Sequence, residues 1–171
     1  LIRNIAHFTG QNLWFFAIAS IPLAQVFALE FTAPIWALLL SPLVLGERLT
    51  RARVLAALAG FVGILIVARP SPDTLSPGLI AAALAALGFA GSAVFTRRLT
   101  RSVSTLNILF WLTAMQAVFG LICAGIDGDI ALPPLTAWPA VGVIAVAGLV
   151  AHFCLTTALS LAPAAVVMPI D

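Results

Sequence analysis

Long apolar stretches dominate this sequence. Six of them are long enough to cross a lipid bilayer as α-helices, which takes about 20 residues at a rise of about 1.5 Å each. They cover residues 5–21, 23–45, 52–68, 77–95, 105–126 and 138–161, and a shorter stretch follows at 163–171. Pro, Gly and charged residues separate them, and such short connections make neighbouring helices antiparallel. The pattern predicts an all-α, polytopic transmembrane helix bundle.

The composition excludes a water-soluble domain. Of the 171 residues, 63% are hydrophobic and 8% are charged, whereas soluble domains are roughly 45–50% apolar and about 25% charged. The mean hydropathy is +1.17. Because so few charged side chains cannot cover the surface of a soluble fold, most side chains must face lipid. The lipid bilayer is therefore a predicted partner of this chain.

The arginines indicate how the bundle is oriented. Seven of the eight basic residues fall in alternate connections on one side of the predicted bundle: Arg3, Arg48, Arg51, Arg53, Arg97, Arg98 and Arg101. Arg69 falls on the other side, together with Asp73, Asp127 and Asp129. Because basic connections stay in the cytoplasm, the first segment should run from inside to outside. The prediction is a multi-pass protein of the bacterial inner (cell) membrane, with the arginines as topology anchors and no nucleic-acid partner.

Glu30 carries the strongest functional signal. It lies seven positions after Leu23, inside an apolar stretch, where an acid costs roughly 2.5–3.5 kcal/mol. The other residues on its helical face are small or slightly polar: Ala33, Pro34, Ala37 and Ser41. Such a face suits a bundle interior or a water-filled cavity. We predict that Glu30 binds a substrate or an ion, with a structural hydrogen-bonded acid as the alternative.

Polar faces on other segments extend the candidate site. His7, Gln11 and Trp14 follow helical spacing on the first segment with Asn12 beside them, and the sixth segment carries His152 and Thr156. Asp171, in the short final stretch, would be a second intramembrane acid, approached from the opposite membrane face. Hydrogen bonding between helices is the alternative explanation for most of these residues. The predicted substrate-binding residues are Glu30, Gln11, Trp14, Asn12, His152, Thr156 and Asp171.

No enzyme, metal or cofactor pattern is recognisable. Cys123 and Cys154 have no paired or metal-binding spacing. They are predicted near opposite ends of neighbouring helices, so the distance between them should exceed the limit of about 7 Å for a disulfide. The sequence lacks a GxSG serine motif, a GxGD acid motif and a Gly-rich phosphate loop. Metal ions, cofactors and catalytic residues are therefore not predicted.

Rows of small residues predict where helices pack closely. They occur at helical spacing in the third and fourth segments, as Ala52, Ala56 and Gly60 and as Ala81, Ala85 and Gly88. Small side chains let helix backbones approach each other in membranes. We therefore expect a compact bundle in which both of these faces contact other helices.

Four strings of the sequence are distinctive: FAIASIPLA at 16–24, FTAP at 31–34, LGERL at 45–49 and GFVGILI at 60–66. In these strings the chain resembles the EamA-type members of the drug/metabolite transporter superfamily. The Leu-Gly-Glu-Arg turn followed by a Gly-rich helix is the most specific part. The strings ALSLAP at 158–163 and MPID at 168–171 look like the bacterial branch.

This resemblance implies a ten-helix secondary carrier made of two five-helix repeats of opposite orientation. The chain would then be helices three to eight plus the start of nine, a fragment that should not transport alone. Residues 1–70 would be the last three helices of the first EamA repeat, and residues 71–171 the truncated first part of the second. A shift of 140 positions aligns Ser20 with Ser160, Ala24 with Ala164, Val26 with Val166 and Asn12 with His152, and a slip of one residue is needed for Glu30 to meet Asp171.

The leading functional prediction is a secondary transporter that moves a small-molecule substrate by alternating access around a midplane cavity. The alternative is an intramembrane enzyme acting on a lipid or lipid-linked substrate, with Glu30 and His152 as acid and base. That chemistry requires the two side chains within about 4 Å of each other. A third hypothesis, a scaffold that does not transport, predicts no central cavity. The substrate, the coupling ion, the direction of transport and the oligomeric state stay open.

Overall fold

The computed structural model describes residues 1–68, 76–126, 128, 130 and 132–170. The helices are α1 (Ile2–Ser20), α2 (Leu23–Glu30), α3 (Ala33–Leu45), α4 (Arg51–Ala68), α5 (Pro77–Leu99), α6 (Thr105–Ala124), α7 (Trp138–Leu161) and α8 (Ala164–Val167). A 3-10 turn, Leu135–Ala137, precedes α7. The described residues contain no strand, and the predicted all-α class is confirmed.

Four helical stretches are both long enough and apolar enough to cross a membrane. They are Leu23–Leu45, Pro77–Leu99, Thr105–Ala124 and Leu135–Leu161. The other two predicted segments correspond to α1 and α4, which contain 19 and 18 residues. Large apolar side chains are exposed along α6 and α7, for example Phe110 and Ile144. Such a surface fits contact with lipid or with further apolar helices.

The second predicted segment has the length of one membrane span, but it is divided into two helices. α2 ends at Glu30, and α3 begins at Ala33. Pro34 explains the interruption, because it lacks the N–H that would donate to the Glu30 carbonyl and its ring crowds that oxygen. Thr32 closes the intervening turn by accepting a 2.9 Å hydrogen bond from the Ile35 N–H at its carbonyl oxygen. The interruption therefore lies beside the intramembrane acid.

α5 is the central helix of the described chain. Its buried residues are mostly Ala, and they contribute to two apolar clusters. One cluster joins α3, α5, α7 and α8 around residues such as Ala37, Ala90 and Leu159. The other joins α1, α2 and α5 around Ala17 and Val26. Small side chains on α5 thus allow several helices to pack against it.

α1 and α5 cross at two facing glycines. A Cβ atom added to Gly88 would lie 2.9 Å from the carbonyl oxygen of Ala6 and 2.9 Å from the Cα of Gly10. Ala81 and Ala85 on the same helix are buried. The predicted close packing of this row is therefore confirmed.

The corresponding prediction for α4 is wrong for the described chain. Ala52, Ala56 and Gly60 are exposed, and a Cβ atom added to Gly60 would meet nothing within 4 Å. The reason is the position of α4 at the edge of the bundle, where most of its side chains are exposed. Helical spacing identifies a small face but does not say whether a helix covers it.

The C-terminal ends of α3, α5 and α7 meet at one end of the bundle. Gly46 follows the last residue of α3 and caps the helix with a left-handed φ of 69°, a conformation that glycine adopts without steric cost. The next residue, Glu47, forms an ion pair with Arg97 at an N···O distance of 3.9 Å. The Leu-Gly-Glu-Arg turn therefore contacts the end of α5.

Two arginines of α5 and its following turn cap the neighbouring helices. Arg97 Nη1 donates to the carbonyl oxygens of Leu159 at 2.7 Å and Ser160 at 3.0 Å. Arg101 Nη2 donates to the carbonyl oxygen of Leu45 at 3.3 Å. Carbonyls in the last turn of a helix have no partner within the helix, so these bonds satisfy them.

These contacts place Arg97 and Arg101, two of the arginines predicted to share one membrane face, at the same end of the bundle as Glu47. The acids predicted for the opposite face, Asp73, Asp127 and Asp129, lie outside the described residues. The cysteines, Cys123 on α6 and Cys154 on α7, are both free and exposed.

The chain leaves α1 and α7 with the same backbone geometry. Ile21 and Pro22 follow α1 with φ and ψ of −137° and 162° and of −56° and 136°. Ala162 and Pro163 follow α7 with −133° and 157° and with −57° and 144°. The two prolines are 141 positions apart, so aligning them gives a shift one position longer than the predicted 140.

Aligning the two prolines changes which residues correspond. With the prolines aligned, Gln11 and not Asn12 falls opposite His152 in the sequence. Glu30 then falls opposite Asp171 without any slip.

Candidate functional site

A cavity of about 390 Å³ lies between α1, α2, α3, α5 and α7. This volume is within the range of about 300–1,000 Å³ that is typical of small-molecule sites. The scaffold hypothesis predicted no central cavity and is wrong on that point. The polar residues in the cavity wall are Arg3, His7, Glu30, Ser92, Thr96, His152 and Thr156.

Glu30 is held by a tryptophan of the preceding helix. Trp14 Nε1 donates a 2.8 Å hydrogen bond to Glu30 Oε2. The reversal at Ile21 and Pro22 turns α2 back along α1 and brings the two side chains together. Glu30 is half-buried and lines the cavity, so it faces the bundle interior as predicted. Trp14 contacts the carboxylate and is not itself in the cavity wall.

Two histidines from different helices meet in the cavity. The rings of His7 on α1 and His152 on α7 form an edge contact with a centroid distance of 4.8 Å and an interplanar angle of 77°. His7 also lies 5.9 Å from the ring of Phe89 on α5. Thr156, one turn after His152, is buried and lines the same cavity. The structure therefore brings together Glu30, His152 and Thr156 of the predicted set.

Gln11 and Asn12 do not reach this cavity. They line a separate cleft between α1 and α6, and Asn12 Nδ2 donates to the Phe8 carbonyl of its own helix at 2.8 Å. Each helical residue rotates the side-chain direction by about 100°, so His7 lies about 20° from Trp14, Gln11 about 60° and Asn12 about 160°. Of the four residues on or beside the predicted polar face, His7 is the one that lines the cavity.

Arg3 is a cavity residue to which the sequence pattern assigned only an anchoring role. It is 5% exposed, and its Nε donates to Thr96 Oγ1 at 2.9 Å while Nη1 donates to Asn4 Oδ1 at 3.0 Å. Asn4 Nδ2 in turn donates to the carbonyl oxygen of Trp111 on α6 at 3.1 Å. Arg3 lies one helical turn before His7, and this spacing is the sequence signal that could have identified Arg3 as a cavity residue.

The last predicted site residue, Asp171, lies outside the described residues. Met168 and Pro169, which precede it, line the cavity. Across the described residues, no group of three His, Cys, Asp or Glu side chains could hold a metal ion.

Comparisons with known proteins identify related transporters. The chain matches the model of the EamA-like transporter family over residues 1–69 and 76–171. It is 32% identical to a riboflavin transporter of Brucella anthropi over 166 residues, which is 95% of this chain and 58% of the relative. It is 31% identical to a pseudopaline exporter of Pseudomonas aeruginosa over 162 residues, covering 94% of this chain and 56% of the relative.

A more distant relative is an S-adenosylmethionine uptake transporter of Rickettsia bellii. Identity there is 24% over 124 residues, covering 72% of this chain and 43% of the relative. The chain thus spans about half the length of these curated relatives. No solved structure matches it.

Proposed function

Because this chain belongs to the EamA-like transporter family and is a multi-pass membrane protein, we propose that it is part of a secondary carrier for a small metabolite. The carrier works by alternating access, and no covalent step is involved. The observation that carries the proposal is the cavity in which Glu30, His7 and His152 meet. Carriers of this kind bind substrate near the midplane, where interrupted helices expose polar backbone.

Glu30 is the central substrate-binding residue in this proposal. Its carboxylate accepts hydrogen bonds or pairs with a cationic group, and Trp14 orients it by donating from the indole N–H. His152 and Thr156 supply further polar contacts from α7. We assign Asp171 as a second acid, and alignment of the two prolines supports this by pairing it with Glu30 in the sequence. Gln11 and Asn12 are left out, since they line another cleft.

The proposed architecture is a ten-helix carrier with two inverted repeats in a bacterial inner membrane. Residues 1–70 belong to the first repeat, and residues 71–171 belong to the second. Matching exits from α1 and α7 support this division, as does the length of the relatives. The bacterial sources of these relatives support the location.

A transport assay tests this function directly. The full-length natural protein, reconstituted in liposomes, is offered labelled riboflavin, S-adenosylmethionine, pseudopaline and a panel of other small metabolites. We expect at least one compound to accumulate unchanged, and His152→Ala to slow it by about tenfold or more if a polar contact to the substrate is lost. Asn12→Ala is the matched control and should transport normally. Chemical conversion of a lipid or metabolite without accumulation would favour the enzymatic alternative.

A further inference from the structure

Arg3 is a buried charge in the wall of the proposed substrate cavity. Only 5% of the residue is exposed, and a buried cation in a membrane protein requires compensation by hydrogen bonds or an opposite charge. Its two hydrogen-bond partners, the Thr96 hydroxyl and the Asn4 amide oxygen, are both neutral. Among the described residues, no carboxylate lies within ion-pair distance of Arg3, and the acid Glu47 pairs with Arg97 instead.

The guanidinium has unused capacity to bind. An arginine carries five N–H donors in a planar fork, and the two bonds to Thr96 and Asn4 use two of them. The remaining donors suit a planar carboxylate or a phosphate, which an arginine binds through two parallel hydrogen bonds. Ser92, on the same helix as Thr96, adds another polar residue to this part of the wall.

The cavity is polarised along α1. Arg3 lies in the first turn of this helix, and Trp14, which holds Glu30, lies 11 residues later. That separation corresponds to about 16 Å along the helix axis. The cavity therefore has a cationic end and an acidic end, with His7 between them. A small metabolite with an anionic group at one end would match this distribution.

We infer that Arg3 binds a carboxylate or phosphate group of the transported metabolite and so selects substrates that are anionic at one end. This inference rests on the proposed transport function and adds the substrate class. Thr96 and Asn4 act as positioning residues, because their bonds hold the guanidinium in the cavity wall.

Matched pairs of compounds test the inference. The full-length protein in phosphatidylcholine liposomes is given riboflavin or riboflavin 5′-phosphate, S-adenosylmethionine or its decarboxylated form, and further metabolites with and without a carboxylate. The readout is the ratio of initial rates for the member that carries the carboxylate or phosphate and the member that lacks it. Because both rates come from the same sample, the ratio does not depend on how much protein folds.

We expect the wild-type protein to prefer the anionic member of a transported pair. Arg3→Gln should reduce that preference by about tenfold to a hundredfold, the effect of losing a charged hydrogen bond. Arg3→Lys keeps the charge but not the planar guanidinium fork, and it should reduce the preference less. If Arg3→Gln does not reach the membrane, the preference of Arg3→Lys is used as the test. Arg98→Gln, at the exposed end of α5, is the control and should leave the ratio unchanged.

Other outcomes overturn the inference in distinguishable ways. If the wild-type protein transports compounds without preferring the anionic member, or if Arg3→Gln keeps the preference, Arg3 pairs with a group of the protein itself. If the effect of Arg3→Gln appears only after phosphatidylglycerol is added to the vesicles, the anion belongs to a lipid headgroup. If the wild-type protein transports nothing in the panel, the proposed transport function fails as well.

Discussion

Replacing Glu30 with glutamine tests the proposed site with the smallest change of shape. The amide oxygen of glutamine can still accept the hydrogen bond that Trp14 now donates to the carboxylate at 2.8 Å. A hydrogen bond to a charged group contributes about 1.5–3 kcal/mol and a neutral one about 0.5–1.5 kcal/mol. The variant should therefore lose only about 1–1.5 kcal/mol of stability, well below the total of about 5–15 kcal/mol for a folded domain.

Transport should respond much more strongly than stability. If the substrate contacts the carboxylate, removing its charge should slow transport by about tenfold to a hundredfold. Trp14→Phe provides the complementary change, because it keeps the acid and removes the indole donor. We expect this variant to transport at an intermediate rate. Glu30→Leu, which removes both charge and hydrogen bonding, should fail.

The assay is the initial rate of uptake into liposomes that contain the full-length protein. Rates are measured from about pH 5 to pH 8, where histidines and perturbed carboxyl groups titrate, and are divided by the amount of folded protein in the vesicles. If Glu30→Gln and Glu30→Leu both transport at the wild-type rate across this range, Glu30 is only a packing residue and the site is wrong.

Three further substitutions and one control are measured by thermal unfolding of the purified full-length protein. Gly88→Ala should destabilise the protein by about 1–3 kcal/mol because the new Cβ meets backbone atoms. Gly60→Ala is the control and should not destabilise it. Equal effects of the two substitutions would contradict the close crossing of α1 and α5. Gly46→Ala should cost about 1 kcal/mol because its φ is left-handed, and an unchanged melting temperature would argue against that turn. Glu47→Gln should cost less than about 1 kcal/mol because its ion pair with Arg97 is long and partly exposed; a larger loss would show a stronger contact.

Apolar pattern alone located most of the helices. The predicted segment 138–161 has the bounds of α7, and 77–95 lies within α5, Pro77–Leu99. Length and hydropathy are sufficient there because a membrane imposes one element type and a nearly fixed length. The apolar pattern did not show that Pro34 divides the second segment. α2 and α3 together are as long and as apolar as a single membrane span.

The site was harder to predict, because it depends on which helices become neighbours. Glu30 was recognisable by its cost in an apolar stretch, but its contact with Trp14 depends on the turn between α1 and α2. The meeting of His7 with His152 joins residues far apart in sequence. Arg3 was missed because an arginine near the end of a segment has the same pattern as an anchor. Its burial is visible only once α1 packs on α5.

The caps that Arg97 and Arg101 form have a consequence for how the protein is made. Both residues belong to the basic cluster that should keep this connection in the cytoplasm during insertion. After insertion, the same side chains bond the terminal carbonyls of α7 and α3. In the predicted topology, the charges that orient the nascent chain later close its helix ends. Lysine at these positions would preserve the orienting charge and lose the planar fork. Substitution with lysine can therefore separate the role in membrane insertion from the role in capping the helix ends.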